Sequence, residues 1–239
     1  MIKIQKSEQR GRTSLDWLNA KHSFSFGEYF NSDWLEFATL RVINEDVISP
    51  SQGFGTHPHN NMEIITYIIK GELAHKDSMG NGSTIKAGNI QRMSAGSGIF
   101  HSEYNPSDTE ETHLLQIWIR TNKKDIEPSY EEKEFSEINR DNQLLLAVSI
   151  DGRDGSMTVN QDVDIYLGKI NDNKTQIKHA IKQGRDVWVQ MISGTANING
   201  NVINAGDGIG IVDEELLSIT DSKDADFIMF DMAKKKTIS

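Results

Sequence analysis

Two short clusters in this chain carry side chains able to hold an ion: Thr56-His57-Pro58-His59 and Phe100-His101-Ser102-Glu103. On an extended strand, residues i and i+2 project from the same face. Both imidazoles of the first cluster can therefore reach one ion, and the imidazole and carboxylate of the second can do the same. Pro58 points to the other face and has no backbone donor, which puts this strand start at an edge or in an irregular stretch. A hairpin laying the His101 strand beside the His57 strand would make four ligands converge inside a barrel: His57, His59, His101 and Glu103. Three neutral nitrogens and one carboxylate suit a borderline divalent ion such as Fe, Mn, Co, Ni or Cu. In six-coordinate geometry, two cis positions then stay free for a substrate and dioxygen. A closed structural zinc site is the weaker reading, because such sites usually recruit cysteine and the chain has none.

The elements that must position these residues are short strands. Nineteen glycines punctuate apolar segments such as Ile64–Ile69, which ends at Gly71, and Leu114–Ile119, with Leu115, Ile117 and Ile119 on one face. That spacing predicts many strands in a sandwich or barrel, so the fold class is all-β. Near the start, Thr13-Ser14-Leu15-Asp16-Trp17-Leu18 reads as the opening of a short helix, capped by Thr13 or Ser14. The 239 residues suffice for two domains of roughly 100–140 residues, each able to close a core.

Between Arg120 and Asp141 the composition shifts: 12 of 22 residues are charged. This reads as a solvated connector, with a domain boundary near residue 139. The halves on either side look alike. Ile69-Lys70-Gly71-Glu72 resembles Ile192-Ser193-Gly194-Thr195, and Ile85-Lys86-Ala87-Gly88-Asn89 resembles Ile203-Asn204-Ala205-Gly206-Asp207. A duplicated β domain with a shortened second hairpin accounts for both.

Composition excludes several classes of function. The net charge of −10 repels phosphate backbones, so direct nucleic-acid binding is not expected. No apolar run approaches the ~18 residues of a membrane helix. The first 30 residues carry no apolar core or cleavage-like site, and the expected location is the cytoplasm. Lys234-Lys235-Lys236 reads as a frayed, solvated tail.

These residues also carry a family resemblance. Gly53-x3-His57-x-His59-x3-Glu63-x7-Gly71, followed by Gly88-x12-His101, resembles the two cupin motifs with relaxed spacing. Residues 53–82 and 93–106 are more similar to the pirin branch, in particular to bacterial pirin-like quercetin 2,3-dioxygenases. The likeness extends to Phe24-Ser25-Phe26, Leu40–Asn44, His113–Ile119 and Asp151–Ser156, and so spans essentially the whole chain. It implies a bicupin: two antiparallel, jelly-roll-like β-barrels face to face, with few short helices. Residues 1–139 would form the metal-binding cupin domain and 140–239 a degenerate, metal-free one. Pirin ligand positions fall on His57, His59, His101 and Glu103. Glu63 sits at the usual cupin motif-1 carboxylate position and is left out, because the pirin carboxylate follows the last histidine by two residues.

The resemblance further implies one divalent transition metal per chain, iron(II) first, with Mn, Co, Ni, Cu or Zn as alternatives. The reaction it implies is dioxygen-dependent opening of the heterocycle of a flavonol such as quercetin, with carbon monoxide released and Glu103 as the catalytic base. The alternative is an iron-dependent, redox-responsive regulator that binds a protein partner without turnover. Aligned through the shared glycines, His57 and His59 correspond to Ala180 and Lys182, and His101 and Glu103 to Ile219 and Asp221. His179 then falls one residue out of register and should face the other side of its strand. Of the remaining candidates, His75 reads as a polar strand or hairpin residue, His113 as a satisfied core histidine, and His22 and His179 as surface residues. His113 or Gln116 could instead orient a ligand. Phe24, Phe26, Tyr29, Phe30 and Trp34 read as core, and Glu63 as an acceptor behind the site or a hairpin cap.

Overall fold

Along the strand Met62–Lys70, Ile65 and Tyr67 alternate with Ile64, Thr66 and Ile68, and the two sets have different destinations. Ile65 and Tyr67, with Leu115, Ile117 and Ile119 of the neighbouring strand Thr112–Arg120, enter a core shared by both halves of the chain. Ile64 and Ile68 point the other way, into the interior of the first barrel. The computed structural model describes residues 1–135, 138 and 140–235. Within them the helical segments are three single 3-10 turns, Ser7–Gln9, Ser32–Trp34 and Arg153–Gly155.

The first half is a pair of facing antiparallel sheets. The larger runs, in spatial order, Ser129–Lys133, Ile90–Ser94, Met62–Lys70, Thr112–Arg120, Leu40–Ile48, Leu18–His22 and Gly11–Ser14. The smaller runs Gly53–His59, Ile99–Tyr104, Glu72–Asp77 and Gly82–Lys86. Leu73 and Ile85 of the small sheet pack on Leu18, Ala20, Ile48, Ile68 and Leu114 of the large one, closing one end of the barrel. Ile64, Met93 and Ile99 close the other. The second half contributes eight strands of a single nine-stranded sheet, curled around its own apolar core and built on the long strands Arg185–Ile198 and Leu216–Ala233. The N-terminal strand Ile2–Gln5 crosses over to join it, pairing Ile2 with Ile211. This all-β bicupin is held face to face by the shared core. There Trp188, fully buried, meets Phe24 and Phe37 at 5.2 Å and Trp34 at 5.8 Å.

The duplication is visible in the turns. Ala87 N donates to Gly71 O at 3.0 Å, and Ala205 N to Gly194 O at 3.0 Å. Gly88 N donates to Ile68 O at 2.8 Å, and Gly206 N to Met191 O at 3.1 Å. The four glycines have φ of +76°, +84°, +68° and +81° at positions 71, 88, 194 and 206, a region open to glycine and strained for other residues.

Several sequence expectations need correction. Thr13–Leu18 is not a helix. Gly11–Ser14 and Leu18–His22 form an antiparallel hairpin, because docking on Leu40–Ile48 overrides local propensity and lets Leu18 and Ala20 turn inward. The connector is not wholly solvated either. Ser129–Lys133 pairs with Ile90–Ser94, and Phe135 is buried in the shared core. His22 is buried, and His179 is half-buried with its Nε2 2.7 Å from Asp231 Oδ2. His179 shares the inward face of its strand with the core residues Ile177 and Ile181, so it does not face away. Phe24 is core as expected, whereas Phe30 is 75% exposed. Lys234 and Lys235 form ion pairs with Asp213 and Glu36 and are not a free tail. Residues 139 and 236, the expected boundary and the last lysine of the basic run, lie outside the described residues.

Candidate metal centre

The interior of the first barrel has no continuous apolar core. Between its two apolar ends runs a polar belt: Thr66 between Ile64 and Ile68, Gln116 between Leu114 and Trp118, and Gln91 beside Met93. Opposite this belt, in the small sheet, lie the histidines. Ile99–Tyr104 pairs with Gly53–His59 so that His101 sits directly across from His57. A bulge follows, and Glu103 comes opposite Phe54. The backbones approach so closely there that a Cβ on Gly53 would lie 2.2 Å from Glu103 O, which makes glycine obligatory at that position. On its other edge the same strand pairs His101 with Asp77 and Glu103 with His75.

The structure thus brings His57, His59 and His101 together. Their ring centroids are 4.4 Å apart for His57–His101 and 4.9 Å for the other two pairs, and one ligand atom from each lies within 4.8 Å of the others. His101 is 1% exposed, and neither ring nitrogen has a hydrogen-bond partner among the described residues. Leaving two buried polar atoms unsatisfied is costly, and a cation between the three rings removes that cost. The donor set therefore fits a divalent ion. Burial pushes the His101 imidazolium down to about 2, helped by His57, His59 and His75. Burial and then His57 push His59 down to about 4. Both rings are consequently neutral at physiological pH, the form that binds metal. His57 Nδ1 lies 2.8 Å from Gly55 O and donates to it, which leaves Nε2 as the ligand atom. The edge of His59 rests on Trp118 at 4.8 Å.

Glu103 is fully buried, and burial pushes its carboxyl up to about 7 against the hydrogen bonds that hold it. Gln116 Nε2 donates to Glu103 Oε2 at 2.8 Å. Thr66 Oγ1 lies 3.4 Å from Glu103 Oε1 and 3.1 Å from Gln116 Oε1, and its single hydrogen can serve one acceptor at a time. Glu103 is not grouped with His57 and His59; it falls in a second candidate group with His101 and His75, again within 4.8 Å. His75 is a polar residue of the strand Glu72–Asp77, as expected, and it lies beside the cluster. It is 3% exposed, bonded to Asp77 Oδ2 at 3.3 Å through Nε2, with Gln91 Nε2 3.3 Å from its Nδ1. The i, i+2 spacing of His75 and Asp77 carried that signal. Glu63 faces elsewhere, accepting from Ser94 Oγ at 2.7 Å and from Asn160 of the second half. His113 is half-buried on Glu45.

The cluster opens on a cavity of about 470 Å³, within the ~300–1,000 Å³ of small-molecule pockets. Trp17, Phe26, Phe54 and Trp118 give it flat apolar walls. His57, His59 and Glu103 lie at one side, with Asn44 and Asp46 also lining it. In the second barrel the corresponding space is filled: Ile219, aligned with His101, is fully buried among Phe227, Met229 and other apolar side chains.

Comparison with known proteins agrees with this fold. The pirin family model matches residues 3–119, and the model for the quercetinase C-terminal cupin domain matches residues 146–232. The chain is 44% identical to the quercetin 2,3-dioxygenase of Escherichia coli K12, across 97% of this chain and 99% of that protein. It superposes with a TM-score of 0.95 on the crystal structure of YhhW from Escherichia coli, at 44% identity and covering 98% of each chain. The TM-score is 0.93 to the bacterial pirin YhhW in complex with nickel(II), at 43% identity, covering 98% of this chain and 100% of that one.

Proposed function

The chain belongs to the pirin family, and from that premise we propose that it is a metal-dependent dioxygenase opening the heterocycle of a flavonol-like aromatic substrate. The observation that carries the proposal is His101: a buried imidazole with two orphaned nitrogens, beside two further histidines that line an aromatic-walled cavity. His57, His59, His101 and Glu103 would hold one divalent ion. A bound transition ion supplies Lewis acidity toward a substrate oxygen and the redox capacity that dioxygen chemistry needs. The nickel in the related pirin makes nickel a candidate beside iron.

The side chains contribute binding, orientation and proton transfer. Trp17, Phe26, Phe54 and Trp118 offer planar surfaces that hold fused aromatic rings and exclude water. Glu103 is the base. It is the one anionic group of the set, so it can accept the proton of an acidic ring hydroxyl, and Gln116 keeps it aimed. The test is oxygen uptake and carbon monoxide release with quercetin, using protein stripped of metal and reloaded in turn with Fe, Mn, Co, Ni and Cu. Saturable turnover with at least one metal, lost in His101→Ala, supports the reading. Stoichiometric metal binding with no turnover for any metal overturns it.

A further inference from the structure

One wall of the cavity carries polar groups that ion binding and proton transfer do not use. Asn44 and Asp46 stand at i and i+2 on the strand Leu40–Ile48, both lining the cavity, while Ile43, just before Asn44, turns the other way into the shared core. Asp46 is 3% exposed, and among the described residues no donor reaches its Oδ1. The nearest guanidinium is committed elsewhere: Arg10 bonds Glu45, the carbonyl of Gly206 and the carbonyl of Lys21. A buried carboxyl oxygen with no partner has full desolvation cost and no return within the protein.

Asn44 is held in one orientation. Its Oδ1 accepts from His22 Nδ1 at 2.7 Å, and His22 Nε2 accepts from Thr13 Oγ1 at 2.8 Å. Burial lowers the pKa of His22, so the ring is neutral and each nitrogen has one role. The Thr13–His22–Asn44 chain thereby turns the Asn44 Nδ2 hydrogens away from His22, toward the cavity. The wall presents a fixed donor at Asn44 and a free acceptor at Asp46, set in an apolar surround of Trp17, Leu18, Ala20 and Phe54. The acceptor persists whether or not the carboxyl is protonated.

Resting on the flavonol reading above, we propose that Asn44 and Asp46 form a recognition subsite for adjacent hydroxyls on the ring of the substrate that is not opened. One hydroxyl accepts from Asn44 Nδ2 while its neighbour donates to Asp46. The ligand class is an ortho-dihydroxylated aromatic, and Asp46 is a specificity-determining residue.

The experiment compares anaerobic binding, by calorimetry, of quercetin and of galangin, the flavonol lacking both hydroxyls on the pendant ring. Nickel-loaded wild type, Asp46→Leu and Asp46→Asn are used. Wild type should prefer quercetin by at least about tenfold, the worth of a hydrogen bond to a charged or buried partner. Asp46→Leu should abolish the preference by weakening quercetin, with galangin shifted less than about threefold, and Asp46→Asn should fall between. Equal affinities in wild type, or equal losses for both ligands in Asp46→Leu, overturn the proposal. In parallel, ligand-observed NMR measures catechol and phenol on metal-stripped protein, where a catechol cannot chelate an ion. If neither flavonol binds wild type, the flavonol reading fails alone. Catechol favoured over phenol in wild type but not in Asp46→Leu then still supports the subsite, and no such difference overturns it.

Discussion

Replacing Gln116 by leucine tests whether the polar belt tunes the ion-binding cluster. Gln116 Nε2 donates to Glu103 at 2.8 Å and Gln91 adds a further side-chain hydrogen bond, whereas the Thr66 hydroxyl is 3.4 Å away and shares its hydrogen with Gln116 Oε1. A hydrogen bond to a charged group contributes about 1.5–3 kcal/mol, or roughly 10- to 150-fold in an equilibrium constant. Partners standing behind metal ligands typically account for about 10- to 100-fold in affinity. Gln116→Leu should therefore weaken nickel(II) binding about 10- to 100-fold, and Thr66→Val less than about threefold. The pH dependence has a definite sign. Losing a donor raises the Glu103 carboxyl further above about 7, so more of it is protonated at pH 7.5 and its proton must leave before it binds metal. The Gln116→Leu deficit should shrink as the pH rises toward 9. Competition against a chromophoric chelator at pH 7.5 and 9 reads both effects. A Gln116→Leu affinity within threefold of wild type, or a Thr66→Val loss as large as that of Gln116→Leu, would refute the reasoning.

Three further outcomes follow from the same geometry. His101→Ala should leave dialysed protein with almost no bound metal by elemental analysis, since His101 is shared by both ligand groups; full retention would move the site elsewhere. Burial, with Glu103 adding to it, raises the Asp46 carboxyl to about 7 from an ordinary 3.8, so the folded state binds more protons between those values and Asp46 costs stability as pH rises through them. Thermal denaturation of metal-free Asp46→Asn should show it more stable than wild type at pH 8 and nearly equal at pH 4, and the opposite order would count against a strained carboxylate. Trp188→Ala empties the centre of the shared core at a cost of about 3–5 kcal/mol. Its Tm should fall by roughly 6–20 °C with metal stoichiometry intact, and an unchanged Tm would mean that this core does not join the barrels.

The histidine cluster was legible because its spacing has the period of a strand: His57 with His59 and His101 with Glu103 share faces whatever the rest of the chain does. The polar wall of the cavity was not legible, for a physical reason. In Leu40–Ile48 the residues facing the barrel interior include Asn44 and Asp46, while Ile43 and Leu40 face a second core. Alternation normally puts polar residues toward water, so a polar interior makes such a strand read inside out. His22 was misread as a surface residue for the same reason, and the hairpin that carries it was mistaken for a helix. His75 shares a face with Asp77 in its own segment, but only the long-range pairing with Glu103 places it beside the cluster.

That inversion explains why two barrels are needed to present one site. The first has its apolar interior divided into two ends by Thr66, Gln91, Gln116, His75, His101 and Glu103, and it holds orphaned atoms on His101 and Asp46. Each such group subtracts from stability until an ion or substrate satisfies it. The second barrel has the same turns, but its interior is filled, with the Phe227 ring packed so closely on Gly168 that a Cβ there would lie 2.2 Å from it. Its outer face, through Val163, Ile165, Leu167, Phe230 and Met232, supplies the large sheet of the first barrel with a continuous apolar partner. The sheet that carries Thr66, Gln116, Asn44 and Asp46 on one side is thus anchored by a dry core on its other side. The strands can keep a fixed register while their inner face is held in a polar, ligand-ready and intrinsically unfavourable arrangement.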